Sequence, residues 1–173
     1  MLSLTLFFVF PIFSKADELF WVDYDSSLEY NWEYLQQDQD YMVESVSGKV
    51  YFNFGKNIEK SCEGHNAAGV FFDDSGDYCA ILGRQDSYHV TPYTENQGSG
   101  VVLLYQSGGL CSNRYYSNLK HRVEFKFICS KDEGSFVLST DPFECTTILE
   151  KKGKCGCAKE YKTSLLTKIL LFS

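Results

Sequence analysis

The sequence predicts an all-β, disulfide-stapled domain of the sandwich or flattened-barrel type. Three observations support this prediction: an apolar N-terminal segment typical of exported proteins, a succession of short β-like segments, and seven cysteines that all lie at or after Cys62. Exported domains commonly hold their fold with disulfides. Segments rich in β-branched and aromatic residues, recurring at roughly ten-residue spacing, favour two packed sheets or a barrel.

Residues 1–16 have the composition of a signal peptide. Leu2–Phe13 is mostly apolar, and Ser14-Lys15-Ala16 supplies the small residues that a signal peptidase recognises, so cleavage is expected after Ala16. A membrane span is the alternative interpretation, but the apolar run is too short to cross a bilayer. We therefore expect a single domain in the lumen of the secretory pathway, in the Golgi or endosomes, or outside the cell.

The charge of the domain excludes some classes of partner. The chain carries a formal charge of −7, and loss of Lys15 with the signal peptide leaves −8. Because an acidic surface repels nucleic acid and anionic lipid, we expect no nucleic-acid partner.

Residues 17–48 are predicted to form an irregular lead-in that contains one short strand. The segment is acidic and aromatic but has no clean hydrophobic period. Its aromatic residues include Trp21, Tyr24, Tyr30, Trp32, Tyr34 and Tyr41. They either cap the core of the domain or form an exposed surface on which a sugar or peptide stacks.

Residues 49–158 are predicted to form the β domain. Strands are expected at 50–54, 68–72, 78–82, 87–93, 101–105, 121–129, 136–138 and 145–149. The turn sequence Asp73-Asp74-Ser75-Gly76 separates the second and third strands and predicts a hairpin. From Val123 to Cys129, odd-numbered positions are apolar and even-numbered positions are mostly charged, which predicts one buried and one exposed face.

Residues 159–173 are predicted to form an apolar C-terminal tail. The stretch from Ser164 to Phe172 is about half the length that a membrane helix needs, and Lys168 interrupts it. Three interpretations stay open: a docked amphipathic turn, a membrane-proximal stub, and the start of a truncated membrane span. The sequence therefore leaves membrane attachment undecided.

Several short motifs follow one another along the predicted β domain. They are Tyr51-Phe52-Asn53-Phe54, Ala68-Gly69-Val70, Ile81-Leu82-Gly83, Leu104–Cys111 with its Gly108-Gly109 pair, Arg122–Cys129, and the closing Cys145 and Cys157. In this order they resemble the mannose-6-phosphate receptor homology (MRH) domain family. The chain looks like a divergent member, similar to the repeats of the cation-independent mannose-6-phosphate receptor, over residues 20–158.

The resemblance implies a flattened β-barrel of two crossed antiparallel sheets. It also implies the disulfides Cys62–Cys79, Cys111–Cys145 and Cys129–Cys157. Cys155 is then an odd thiol, although the choice between Cys155 and Cys157 stays open. A further family disulfide is missing, because the first predicted strand runs into Gly55 and no cysteine lies upstream.

In sugar-binding members of the family, four side chains, a Gln, an Arg, a Glu and a Tyr, hydrogen-bond a mannose ring. Carried over by position, the Gln falls on Phe71, or on Ala80 by a second alignment. The Glu falls on Thr140 and the Tyr on Thr147. Phe71, Thr140 and Thr147 are therefore degenerate pocket positions, since none can replace the side chain it stands for.

The family arginine has two candidates in this chain. Arg122 opens the strand that ends at Cys129, but counting back from Cys129 puts His121 in the arginine register. Because a shift of one residue reverses the face, Arg122 would point into the pocket only if the strand carries a bulge. Otherwise Arg122 is a solvated partner of an acid such as Glu124. We name Arg122 and His121 as candidate ligand-binding residues and expect no mannose-6-phosphate binding of the ordinary kind.

Catalytic and metal-binding patterns are absent from the sequence. The three histidines, His65, His89 and His121, lie on different segments, and no G-x-S-x-G motif occurs. Asp73–Asp77 resembles a calcium loop but lacks its closing glutamate. We therefore predict no enzymatic activity, no cofactor and no metal.

Two functions follow from the resemblance. The favoured one is a lectin-like luminal binding module of the secretory or endosomal–lysosomal sorting pathway, with a glycan or glycoprotein as partner. The alternative is a protein–protein adaptor or accessory-subunit domain of the same fold, which would carry an exposed apolar patch for a protein partner.

Overall fold

The computed structural model of the chain describes residues 19–161, apart from 24, 63–66, 95–97, 114–115, 141 and 143. The predicted signal peptide and residues 162–173 of the predicted tail lie outside the described residues. Regular structure in the described part consists of β-strands and three short 3₁₀-helices, at Glu33–Leu35, Gln85–Ser87 and Lys154–Gly156. The predicted all-β class is confirmed. No described helix is long and apolar enough to cross a membrane.

Each strand predicted between residues 50 and 149 has a counterpart, and several further strands are present. In chain order the strands are β1 (Phe20–Asp23), β2 (Leu28–Asn31), β3 (Tyr41–Glu44), β4 (Gly48–Phe52), β5 (Gly69–Asp73), β6 (Cys79–Gly83), β7 (Tyr88–Pro92), β8 (Gly100–Tyr105), β9 (Leu110–Asn113), β10 (Tyr116–Lys120), β11 (Arg122–Cys129), β12 (Val137–Leu138), β13 (Thr146–Gly153) and β14 (Lys159–Glu160). The hairpin predicted around Asp73–Gly76 is formed by β5 and β6. The first two residues of the predicted tail form β14, which pairs with β2.

The strands form two large sheets and two small ones. The large sheets have the orders β3-β4-β5-β6 and β12-β13-β11-β8-β7, and the small ones are β1-β2-β14 and β9-β10. Aromatic and aliphatic side chains from both large sheets share one buried cluster, so the sheets pack face to face as a flattened sandwich.

One strand pair departs from the predicted antiparallel arrangement. β11 and β13 run parallel, in unbroken register from Arg122 beside Thr146 to Cys129 beside Gly153. The N–H of Arg122 donates to the carbonyl of Cys145 over 2.9 Å. Because this bond fixes the starts of the two strands side by side, both strands leave that end in the same direction.

The core lies between the two large sheets. On β11, Val123, Phe125 and Phe127 are fully buried, as the predicted alternation requires. The ring of Phe125 lies 5.1 Å from that of Phe52 on β4, which joins the two sheets directly. Burying an aromatic or aliphatic side chain of this size contributes about 1.5–3 kcal/mol.

The prediction of an irregular lead-in at 17–48 is wrong in its secondary structure. The segment contains β1, β2 and β3, and its Tyr30, Trp32 and Leu35 side chains are buried in the main core. The motif residue Asn53 helps to hold it in place, because its amide donates to the carbonyls of Gln37 and Gln39. Tyr30 and Trp32 are therefore part of the core, and Trp21 and Tyr41 pack against it half-buried.

The described residues contain three disulfides, and they are the three pairs that the resemblance implied. Cys62–Cys79, Cys111–Cys145 and Cys129–Cys157 span 17, 34 and 28 residues respectively. Closing loops of these lengths stabilises the fold by about 3 kcal/mol per bridge in the chain-entropy model. Cys155 is free and fully buried.

Candidate functional site

The end of the sandwich where β11 and β13 begin holds four of the predicted pocket residues, His121, Arg122, Thr140 and Thr147. Arg122 pairs there with Thr146, and Val123 with Thr147. The Cys111–Cys145 disulfide ties this end to β9. His121, which directly precedes β11, lies at the same end, whereas Phe71 lies within β5 in the facing sheet.

Main-chain hydrogen bonds from His121 to Gly108 and Gly109 form a tight clasp that fixes His121. Its N–H donates to the Gly109 carbonyl over 2.9 Å, and its carbonyl accepts from the N–H of Gly108 over 3.0 Å. Gly109 in turn donates to the carbonyl of Ile81 on β6 over 2.8 Å. A Cβ on Gly108 would lie 2.4 Å from the Ile81 oxygen and 2.6 Å from the His121 oxygen, so the clasp requires glycine at this position. The Gly108-Gly109 pair therefore positions His121 against β6.

The His121 side chain is buried, with 3% of its surface exposed. Its pKa is lowered, mainly because burial disfavours the imidazolium, while a hydrogen bond with the main chain of Glu144 opposes the shift. Neither His121 Nδ1 nor the buried Thr147 hydroxyl finds a hydrogen-bond partner among the described residues. Two buried polar groups at this end thus have hydrogen-bonding capacity that the described part of the fold does not use.

Arg122 points away from His121, on the outer face of β11. Its side chain is 51% exposed, and its Nε lies 3.9 Å from the carboxylate of Glu124. The same Nε donates to the hydroxyl of Thr146 over 2.8 Å. The register between β11 and β13 contains no bulge, so the condition under which Arg122 would face inward is not met. The structure thus separates the two candidate ligand-binding residues, with His121 inside and Arg122 outside.

The other two degenerate positions serve the fold directly. The Thr140 hydroxyl donates to the carbonyl of Thr146 over 2.9 Å and accepts from the N–H of Ile148 over 2.8 Å. It therefore bonds the segment after β12 to β13. Phe71 is 1% exposed and belongs to the main core cluster.

A second concave region surrounds Tyr34 and was not predicted as a site. Two cavities of about 470 and 560 Å³ share Tyr34 in their walls. Their other lining residues include Gln37, Tyr41, Met42, Phe136 and Lys151 in the first, and Glu29, Asn31, Glu133, Lys154 and Lys159 in the second. The aromatic composition of 17–41 was the sequence feature that pointed to this region. It could not identify Tyr34 as the exposed member of a largely buried set.

Tyr34 and Cys155 lie close enough for each side chain to affect the pKa of the other. Cys155 is fully buried, and burial raises the pKa of its thiol, which disfavours the reactive thiolate. Burial also raises the pKa of Tyr34, with a further contribution from Cys155. Both groups are therefore neutral at physiological pH.

The described residues contain no group of three or more His, Cys, Asp or Glu side chains arranged to hold a metal ion. In the calcium-like turn, the Asp73 carboxylate accepts hydrogen bonds from the Ser75 hydroxyl over 2.8 Å and from the Tyr78 N–H over 3.1 Å. The turn thus uses this carboxylate to close its own hairpin.

Comparison with known proteins gives matches at the level of structure. No protein-family model and no curated protein sequence matches the chain. Domain 11 of the echidna mannose-6-phosphate/IGF2R receptor is similar with a TM-score of 0.63 at 17% identity, over 83% of this chain and 97% of that domain. Domain 11 of the chicken IGF2R is similar with a TM-score of 0.62 at 20% identity, over 80% of this chain and 90% of that domain. The fold implied by the sequence resemblance is therefore confirmed: this chain has the MRH-type fold of these receptor domains.

Proposed function

We propose that this chain is a non-enzymatic, lectin-like binding module of the secretory or endosomal–lysosomal lumen that does not bind mannose 6-phosphate in the ordinary way. The similarity to receptor domains supports the lectin-like module. The three disulfides support an oxidising compartment, because such bridges persist in secreted and luminal proteins. The predicted signal peptide at residues 1–16 is consistent with the same compartment.

The outward direction of Arg122 is the observation that carries the proposed loss of ordinary mannose-6-phosphate binding. A sugar held by charge-assisted hydrogen bonds needs the charged side chain to face the ligand from inside a pocket. Arg122 instead bonds Thr146 and Glu124 on the outer face of β11. The inward position carries His121, whose burial favours the uncharged form by lowering its pKa. An uncharged imidazole is a poor substitute for a guanidinium fork.

A glycan array tests this proposal. The oxidised chain would be screened against phosphomannosyl, high-mannose and other neutral glycans, beside an Arg122→Ala variant. We expect no binding of phosphomannosyl glycans and equal binding of neutral glycans by both proteins. Phosphomannosyl binding that disappears in Arg122→Ala would show that a working pocket uses this arginine, and the proposal would fail.

A protein–protein adaptor is the second candidate, and exposed apolar side chains favour it. Val46 is 98% exposed, Val137 is 60% exposed and Met42 is 47% exposed. Met42 lies on β3 and Val137 on β12, which are edge strands of the two large sheets, and Val46 lies in the turn just after β3. Edge strands that expose apolar side chains are common protein-docking sites.

Substitutions of exposed side chains test this second candidate. Deletion of residues 17–41, which hold the aromatic side chains of the lead-in, would not. Deletion would remove Tyr30, Trp32 and Leu35 from the core and unfold the domain. Val46→Asp and Val137→Asp change only exposed side chains. If the chain is an adaptor, these variants lose a partner that crosslinks to the native chain, and they keep its thermal stability. Unchanged crosslinking would exclude this surface.

A further inference from the structure

The groove around Tyr34 presents an exposed aromatic ring between two cavities. The Tyr34 side chain is 54% exposed, although its neighbours Trp32 and Leu35 are buried in the core. The buried neighbours anchor the short helix Glu33–Leu35, which carries the Tyr34 ring. A ring carried on an anchored main chain loses less conformational freedom when a ligand stacks on it.

Unused polar groups surround this ring. Within the described part of the chain, the side chains of Gln37, Glu29 and Lys159 take part in no hydrogen bond or ion pair. Gln37 lines the first cavity, and Glu29 and Lys159 line the second. An amide, a carboxylate and an ammonium together provide both donors and acceptors. Such a set suits a ligand whose rim carries many hydroxyls, since each hydroxyl donates and accepts.

The charges along the groove are nearly balanced. In the second cavity, Glu29 and Glu133 face Lys154 and Lys159. In the first, Lys151 is already paired with Glu133 over 3.5 Å. The excess of ammonium over carboxylate groups is therefore small, and the chain as a whole carries a formal charge of −7. Because of both facts, a phosphorylated or otherwise anionic ligand gains little attraction here, and the charge pattern favours a neutral ligand.

The floor of the first cavity is apolar. The rings of Tyr41 and Phe136 lie 5.1 Å apart and form this floor with the half-exposed side chain of Met42. Both cavities fall within the range of about 300–1,000 Å³ typical of ligand pockets. An aromatic platform, an apolar floor and a nearly neutral polar rim together match a sugar ring, which has an apolar C–H face and a polar edge.

We propose that this groove binds a neutral oligosaccharide, with one sugar ring stacked on Tyr34 and its hydroxyls bonded by Gln37, Glu29 and Lys159. The proposal rests on the lectin-like function proposed above and gives that function a location. The groove is separate from the predicted pocket at His121, because no residue of that end lines either cavity. An extended peptide is the competing occupant, but it would need an open row of main-chain partners rather than a stacking ring.

The test uses neutral glycans on an array and four variants of the full chain. Tyr34→Ala removes the platform, and we expect it to weaken binding about tenfold. Tyr34→Phe keeps the ring and should bind like the native chain. Gln37→Ala alters an exposed side chain outside the core, so folding is preserved, and binding should weaken about threefold to tenfold. Tyr78→Ala, which removes another partly exposed tyrosine outside the groove, serves as the control and should bind normally.

The outcomes separate the two proposals. If the native chain binds a neutral glycan and both Tyr34→Ala and Gln37→Ala bind it equally well, the location is wrong and the lectin-like function stands. If the folded native chain binds no glycan, both proposals fail. If an extended peptide library binds and is displaced from the groove only by peptide, the occupant is a protein segment and the oligosaccharide proposal is overturned.

Discussion

Replacing threonine by valine is expected to have opposite effects on stability at two positions near the start of β13. Thr147 is fully buried, and its hydroxyl has no hydrogen-bond partner among the described residues. A buried polar group that lacks a partner costs about 1–3 kcal/mol. Thr147→Val replaces this hydroxyl with a methyl group of similar size in a β-strand, where valine is favoured. We therefore expect Thr147→Val to raise the free energy of unfolding by about 1–2 kcal/mol.

Thr140→Val is the matched control with the opposite sign. The Thr140 hydroxyl donates to the Thr146 carbonyl and accepts from the Ile148 N–H. Removing the hydroxyl leaves both main-chain groups without this partner, so the free energy of unfolding should fall by about 1–3 kcal/mol. The same chemical change thus tests satisfied and unsatisfied hydroxyls within one short segment.

Urea unfolding of the oxidised chain measures both effects. The midpoint should move up for Thr147→Val and down for Thr140→Val at an unchanged m-value. In thermal melts a change of about 1 kcal/mol in the free energy of unfolding corresponds to a shift of about 2–4 °C in the melting temperature for a chain of this size. A lower midpoint for Thr147→Val would mean that its hydroxyl is bonded in solution, to water or to another group, and would refute the argument from the unused polar groups.

Further predictions concern the clasp, the buried histidine and the first disulfide. Gly108→Ala should lower the free energy of unfolding by about 1–3 kcal/mol, because the added Cβ meets two carbonyl oxygens; an unchanged urea midpoint would contradict this. The free energy of unfolding should fall as the pH drops below about 6.5, because the pKa of His121 is lowered in the folded chain and the unfolded chain therefore binds a proton at His121 first. His121→Gln should remove this component of the pH dependence of the urea midpoint. The double variant Cys62→Ala/Cys79→Ala should lose about 3 kcal/mol in the same assay; if it unfolds at the native midpoint, the bridge does not constrain the unfolded chain.

Strands with one buried face were predictable from the sequence because apolar and polar side chains alternate along them. Val123, Phe125 and Phe127 on β11 show the pattern most clearly, and the structure buries all three. β9 and β10 were not predicted; Leu110 on β9 and Leu119 on β10 are exposed, so these apolar residues mark no buried face. The one short strand expected within residues 17–48 could not be located for a related reason: each residue of β1 is partly buried, so neither face of β1 stands out.

The parallel pairing of β11 and β13 could not be predicted from local patterns. It depends on contacts between residues far apart in the chain, such as the bond from Arg122 to Cys145 and the bridge from Cys111 to Cys145. Side-chain alternation specifies which face of a strand is buried, but it does not specify the direction of a neighbouring strand.

Side-chain alternation along β11 determines which side chain faces the predicted pocket. Counting from Cys129 put His121 on the inward face, and only a bulge would have put Arg122 there instead. The structure has no bulge in the pairing with β13, so the count holds and Arg122 faces outward. Because alternation within a strand is a local property, it carried the prediction of direction correctly across eight residues.

The groove at Tyr34 lies beyond that kind of reasoning because five separate segments build it. Its wall consists of parts of β2, the helix Glu33–Leu35 with the following Gln37, β3, the segment 133–136 and the residues from Lys151 to Lys159. Trp32 and Tyr34 are two residues apart and chemically alike, yet one is buried and the other is half exposed. What distinguishes them is tertiary packing: the Trp32 ring stacks on Phe127 of β11, whereas Tyr34 lies in the walls of the two cavities. The exposure of the ring on which the proposed oligosaccharide site depends is therefore set by contacts between distant segments, which no local pattern reports.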